Sequence, residues 1–154
     1  MKILVMSDSH GAKNLILEVV ALESPELILH LGDRDKDCAD VEFEYPEIPL
    51  RSIRGNCDRG SAGLDIDEFT IDGKRFFMTH GHLFGVKTGY SRIIDTAISR
   101  GADVLLFGHT HIPHYSVISN LVAINPGSIG EGIKSYAVLN IKNGAISCEL
   151  KRFK

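Results

Sequence analysis

Five short runs in this chain each end abruptly in a polar cluster of the metal-ligand type. Lys2-Ile3-Leu4-Val5-Met6 runs into Asp8 and His10, and Leu27-Ile28-Leu29-His30-Leu31 runs into Gly32-Asp33. Ser52-Ile53-Arg54 leads into Gly55-Asn56-Cys57-Asp58, and Phe76-Phe77-Met78-Thr79 into His80-Gly81-His82. The last, Val104-Leu105-Leu106-Phe107, runs into Gly108-His109-Thr110-His111. Apolar runs of this length bounded by glycine are expected as strands buried on both faces. In open α/β sheets the carboxyl ends of such strands form the ligand crevice. The pattern therefore sends two aspartates, an asparagine and several histidines to one edge, a composition suited to a pair of divalent metals.

A chain of 154 residues with 44% hydrophobic residues and a net charge of -3 is expected to fold as one domain over residues 1–154, with a substantial core. It carries no basic stripe, which argues against extended nucleic-acid binding. Cys38, Cys57 and Cys148 are odd in number and show no C-x-x-C spacing, as expected in a reducing compartment. The first apolar run is too short for a signal peptide and is broken by Asp8. No stretch approaches the ~18 consecutive apolar residues of a membrane span. The expected location is the cytoplasm, with no membrane partner; self-association into a homo-oligomer stays open.

Leu15, Ile16, Val19, Val20 and Leu22 keep helical spacing between the first two strands, and Pro25 closes that helix. A β-α-β opening implies a parallel sheet. The acidic, Pro-punctuated stretch from Asp35 to Pro49 reads as a short helix or irregular segment. Ile66 to Lys74 reads as a strand, with Asp72-Gly73 as the hairpin turn into the next. Ile93, Ile94, Ala97 and Ile98 mark a second helix ending before Gly101. Strands follow at Tyr115–Ile118, Leu121–Ile124 and Tyr136–Ile141, and Asn143-Gly144 turns the chain into a final strand through Leu150. This order predicts two mixed sheets packed face to face, with helices outside.

Taken singly, the clusters carry unequal weight. An aspartate after a strand, such as Asp8 or Asp33, ordinarily caps a turn. The alternating Gly108-His109-Thr110-His111 is more specific, because two imidazoles at one strand exit, with glycine removing bulk, can flank a metal pair. The combination decides the reading. Carboxylate and imidazole together suit manganese, iron, zinc or nickel better than calcium or magnesium. If two ions share these ligands, one aspartate must bridge. Two divalent ions facing two carboxylates leave a residual positive charge that attracts a phosphoryl group.

With these residues in hand, the chain resembles the calcineurin-like metallophosphoesterases. Asp8-x-His10, Gly32-Asp33, Gly55-Asn56-x-Asp58, His80-Gly81-His82, Gly108-His109-x-His111 and Asn125-Pro126-Gly127-Ser128 stand in that family's order. The match runs to about residue 140 and looks most like the small prokaryotic phosphodiesterases of the YfcE/MJ0936 type. The resemblance implies a four-layer α/β/β/α sandwich of two mixed β-sheets flanked by helices. It also implies two divalent transition-metal ions, manganese first, with nickel, iron or zinc as alternatives. Asp8, His10 and His111 would hold one ion, Asn56, His80 and His109 the other, and Asp33 would bridge. A bridging hydroxide would attack phosphorus in line, in a phosphodiester or phosphomonoester substrate.

His80 and His82 compete for one ligand place; His80, directly after its strand, is favoured, leaving His82 facing substrate. Asn56, His82 and Asp58 form the catalytic, phosphate-handling part of the reading. Larger relatives carry histidine after the asparagine, held by the following aspartate; here Cys57 stands in its place, and a thiol is the poorer proton donor. His30 reads as a packed, hydrogen-bonded histidine and His114 as a surface residue near the cleft. Asn125 and Ser128 are expected to shape a turn. Gly81 to Thr88 lacks the spacing of a nucleotide-phosphate loop. Loops at Asp35–Pro49, Arg59–Asp67 and Phe84–Tyr90 are expected to set selectivity. The alternative reading is a Vps29-like protein-binding scaffold with a vestigial site, which would predict decayed ligands; all seven positions here hold competent ones.

Overall fold

Apolar residues on both faces of the parallel strands decide the layering. In the computed structural model, which describes residues 1–153, the chain forms two five-stranded sheets. The first contains β1 (Lys2–Met6), β2 (Leu27–His30), β3 (Leu50–Ser52), β9 (Ser135–Lys142) and β10 (Ala145–Arg152) in the order β10-β9-β1-β2-β3. The second contains β4 (Ile66–Ile71), β5 (Lys74–Thr79), β6 (Val104–Leu106), β7 (His114–Ile118) and β8 (Leu121–Asn125) in the order β4-β5-β6-β8-β7. Three helices, α1 (Lys13–Glu23), α2 (Ala39–Glu44) and α3 (Ser91–Ser99), complete it.

Ile3, Val5, Leu29, Phe76, Met78 and Leu106 pack in the core between the sheets. Their strand neighbours Leu4, Met6 and Ile28 pack outward with Ile16 and Val19 of α1 and Val41 of α2. Phe77 and Leu105 do the same with Ile93 and Ala97 of α3. Period-two alternation along a strand with apolar residues at both phases forces a layer on each face. The result is the four-layer sandwich that the pattern predicts.

Topology then places the site. β1, β2 and β3 run parallel, as do β5, β6 and β8, so six carboxyl ends reach the same edge. The hairpin at Asp72-Gly73 forms as expected, both residues having positive φ (48° and 74°). The Asp35–Pro49 stretch contains a 3₁₀ turn, Asp35–Cys38, followed by α2. One expectation needs correction. β3 is not buried on both faces: Arg51 and Ser52 are exposed because β3 is the edge strand, and only the following Ile53 is fully buried.

Glu23 ties α1 to the first sheet. Its buried carboxylate lies 2.8 Å from Lys2 Nζ and 3.0 Å from Lys151 Nζ, and it accepts a 2.8 Å hydrogen bond from Tyr136 Oη. Burial opposes its charge, but the two lysines and the tyrosine outweigh it and hold the carboxyl down to about 2. A depressed pKa stabilises the fold fully above the ordinary value near 4.5, and this contribution fades as pH falls towards 2. Glu23→Ala is expected to cost about 2 kcal/mol at pH 7. That is below the range for a fully buried pair, because both lysines are about one-third exposed. Urea unfolding at pH 7 and pH 3 checks it: the difference between wild type and variant should shrink at the lower pH.

Candidate metal centre

The strand-end residues do not continue in extended backbone. Asp8, His10, Asp33, His109 and His111 all have φ between 44° and 68°. Left-handed backbone at residues other than glycine costs on the order of 1–3 kcal/mol each and gathers at functional sites. Here it folds the loops back over the strand ends, where they lace together. Asp8 N donates to Gly32 O (2.9 Å), Gly108 N to His80 O (3.0 Å), and Ser128 Oγ to Asp8 O (2.8 Å). Close approach needs glycine at two points. A Cβ on Gly55 would lie 2.2 Å from Asp33 Oδ1, and one on Gly108 would lie 2.0 Å from Ser7 Oγ.

All seven sequence-predicted ligand residues meet at this edge. Asp8, His10 and His111 form one group whose candidate ligand atoms lie within 4.8 Å of one another, and Asp33, His80 and His109 form a second. His111 Nε2 is 3.0 Å from Asp8 Oδ1. His80 Nε2 is 3.5 Å from Asp33 Oδ2, 3.2 Å from Asn56 Oδ1 and 3.2 Å from His109 Nδ1. Asp33 also faces the first group, its Oδ2 lying 3.8 Å from His10 Nε2. His80 Nδ1 donates to Leu31 O at 2.8 Å, which fixes the ring and leaves Nε2 as the atom facing the Asn56 amide oxygen and the Asp33 carboxylate.

Such a set asks for cations. Asp8 Oδ1 and His10 Nε2 are shielded from water and have no hydrogen-bond partner. A buried polar atom left this way costs about 1–3 kcal/mol. Oxygen and imidazole donors gathered this way suit divalent transition metals, and either group could hold such an ion. The protonation pattern agrees. Burial opposes charge on Asp33, but His80 and the Cys57 amide outweigh it and keep the carboxyl well below its ordinary range. Burial, reinforced by His80, pushes His109 down to about 4, so its imidazole is neutral at pH 7. Burial likewise disfavours charge on His80, yet the Asp33 and Asp8 carboxylates raise it, the attraction a bound cation would satisfy.

Around this centre some of the remaining residues fall differently from expectation. Asp58 is taken up by the backbone: its two oxygens accept from the N–H groups of Asp33 (2.9 Å), Arg34 (2.6 Å), Asp35 (3.2 Å) and Gly55 (2.7 Å). It holds the two loops that carry Asp33 and Asn56, so its role is positioning. His114 is less free than a surface residue: its half-buried ring packs 4.8 Å from that of Tyr90 and its Nε2 meets Ser116 Oγ at 2.9 Å. His82 borders the centre, its ring 5.4 Å from that of His80, with Nδ1 buried and unpartnered. Burial and then His80 lower its pKa. His30 is buried as expected, facing Ser9 Oγ at 3.2 Å. Asn125 spans its turn, donating to Gly108 O (3.0 Å) and accepting from Gly127 N (2.9 Å).

Two supporting carboxylates escape sequence reasoning. Glu131 Oε2 lies 3.3 Å from His111 Nδ1, the contact that fixes a ligating imidazole. Asp37 is buried and accepts from Ser9 Oγ (2.8 Å) and Gly11 N (2.6 Å), bracing the loop between Asp8 and α1. Neither sits at a strand exit, and only the Gly-Ser-Ile-Gly-Glu run after Pro126 hints at the first. Grooves open near the centre. One, of about 230 Å³, is lined by Arg54, Asn56, Arg59, Asp65, His82 and Leu83; the other, of about 540 Å³, by Val86, Lys87, Thr88, Tyr90, Thr110 and Ile112.

A double-sheet sandwich with this donor set is a metal-dependent phosphoric ester hydrolase. Residues 1–144 match the calcineurin-like phosphoesterase superfamily domain, and the chain belongs to that family. It is 34% identical to a probable metallophosphoesterase, YsnB, of Bacillus subtilis, over 94% of this chain and 87% of that protein. It is 30% identical to the phosphodiesterase MJ0936 of Methanocaldococcus jannaschii, over 82% of this chain and 83% of that one. Among solved structures the fold matches the Vps29 of Entamoeba histolytica complexed with zinc, with a TM-score of 0.77, 18% identity and full coverage of both chains.

Proposed function

We propose that the chain is a binuclear phosphodiesterase in which Asp33 bridges two divalent transition-metal ions, manganese first. The observation that carries this reading is the convergence of two donor groups, Asp8-His10-His111 and Asp33-His80-His109, with Asp33 facing both. When bound, such a pair acts as a Lewis acid on phosphoryl oxygens and lowers the pKa of water towards about 7. The chain's own residues do the rest. Asn56 presents its amide oxygen beside His80, and Asp58 locks that loop against the Asp33 loop. Glu131 orients His111. His82 and Asn56 line the smaller groove, where an ester substituent can lie. All three expected selectivity loops line grooves: Arg59–Asp67 and Phe84–Tyr90 the two near the centre, and Asp35–Pro49, through Asp35, Lys36 and Asp37, a third that also includes Cys57 and Asp58.

A diester is favoured over a monoester by the likeness to a relative named as a phosphodiesterase. The chain acts as one domain on small-molecule substrates in the cytosol. Its three cysteines are free, and among the described residues no helix is long and apolar enough to cross a membrane. The test is an activity panel on manganese-reconstituted protein. Activated aryl phosphodiesters should be cleaved faster than the matching monoesters, and chelation should abolish both. Metal-replete protein inert across the panel would support the scaffold reading instead.

A further inference from the structure

Cys57 stands where it can do more than replace a histidine. Its sulfur, a His10 ring nitrogen and an Asp33 carboxylate oxygen lie within 4.8 Å of one another, a third donor group overlapping both of those already described. We propose that Cys57, with His10 and Asp33, ligates thiophilic divalent ions of the zinc and cadmium class, an arrangement that harder manganese does not use. The inference rests on the binuclear reading, since it re-uses two of that centre's residues.

Three observations carry it. Cys57 N donates to Asp33 Oδ1 at 2.8 Å, so the backbone holds the residue against the aspartate. The side chain is exposed, and its sulfur has one weak contact, at 3.4 Å, from Asn56 Nδ2. His10 Nε2, beside it, is unpartnered. Donors sharing one tetrahedral zinc stand about 3–4 Å apart by their bond lengths. Rotation about the exposed Cys57 Cα–Cβ bond therefore closes the set without moving the sheets. Thiolate sulfur prefers zinc and cadmium, whereas carboxylate and water suit manganese. Binding releases the thiol proton to solvent. Because His10 and Asp33 are then occupied, a zinc ion held by sulfur competes with the arrangement proposed for turnover.

Cobalt reports sulfur ligation directly, through sulfur-to-metal charge transfer in the near ultraviolet. The other cysteines do not confuse the reading. Cys38 is buried and its thiol is pushed up by burial, and Cys148 on β10, pushed up to about 11, packs against the core between the sheets. Cys57→Ser keeps the backbone bond to Asp33, so the loop stays in place. Titration of metal-free protein with cobalt should give the charge-transfer band in wild type and lose it in Cys57→Ser. Loss of even a hydrogen bond supporting a ligand costs about 10–100-fold in affinity. Zinc affinity should therefore fall at least about tenfold in Cys57→Ser, with manganese affinity unchanged. Cobalt bound without the band, or an unchanged zinc affinity in Cys57→Ser, overturns the inference and leaves the binuclear reading intact. Failure to bind cobalt at all overturns both.

Discussion

Asp33→Ala is expected to empty both metal positions and to lower kcat/KM for an aryl phosphodiester by at least about 10³-fold. Metal charge contributes several kcal/mol to the transition state, and each 1.36 kcal/mol is a factor of ten. Asp33 faces His10 on one side and His80 on the other, so its removal strips a ligand from both groups. The single-group variants should behave differently: His111→Ala should empty one position and His109→Ala the other. His82→Ala should retain two metals, since His82 stands outside both groups. Elemental analysis of each variant after manganese loading and desalting reads the pattern. Two ions retained in Asp33→Ala, or one lost in His82→Ala, would reverse these assignments. The fold should survive, because the Gly32–Gly55 contact that packs the two loops is backbone against backbone.

The second large effect concerns the leaving group. General acid catalysis contributes about 10²–10⁴-fold and matters most for poor leaving groups. His82 is the nearest candidate acid, but burial and the neighbouring His80 lower its pKa, which disfavours the protonated form it would need. Cys57 is no substitute, its thiol being raised by burial and by Asp33. The manganese enzyme should therefore prefer aryl over alkyl phosphodiesters steeply, by about 10²–10⁴-fold in kcat/KM. Introducing histidine is not expected to flatten the dependence. Asp58 would have to orient the new imidazole, and its oxygens already accept four backbone N–H groups. Cys57→His should leave the slope changed by less than about tenfold. A flat wild-type dependence with chemistry rate-limiting would mean an acid is present, and steepening by His82→Ala would identify it.

Much of this is legible in the sequence. The runs ending at Asp8, Asp33, His80 and His109 show strand ends because strands buried on both faces leave a continuous apolar signature that a polar residue must interrupt. The parallel β1-α1-β2 unit follows from one helical period between two such runs. β3 reads as buried from its sequence because Ile53 belongs to the loop and not to the strand, while Arg51 and Ser52 reveal the edge only through their neighbours. Asp58 illustrates a different limit. An aspartate three residues after a glycine reads equally as a catalytic partner or as a turn brace, and only the amides that converge on it decide. Glu131 and Asp37 act across 20 or more residues of sequence, on His111 and Ser9, and no periodicity records such a contact. The left-handed backbone at five ligand positions was equally hidden, since aspartate and histidine merely tolerate it.

The central claim is a metal pair held by these seven residues, and metal stoichiometry tests it most directly. Metal-free protein reconstituted with excess manganese, desalted and measured by elemental analysis should approach two equivalents per chain. The Asp33→Ala sample treated alongside should approach none. A wild-type value of zero or one at saturating metal would contradict the account.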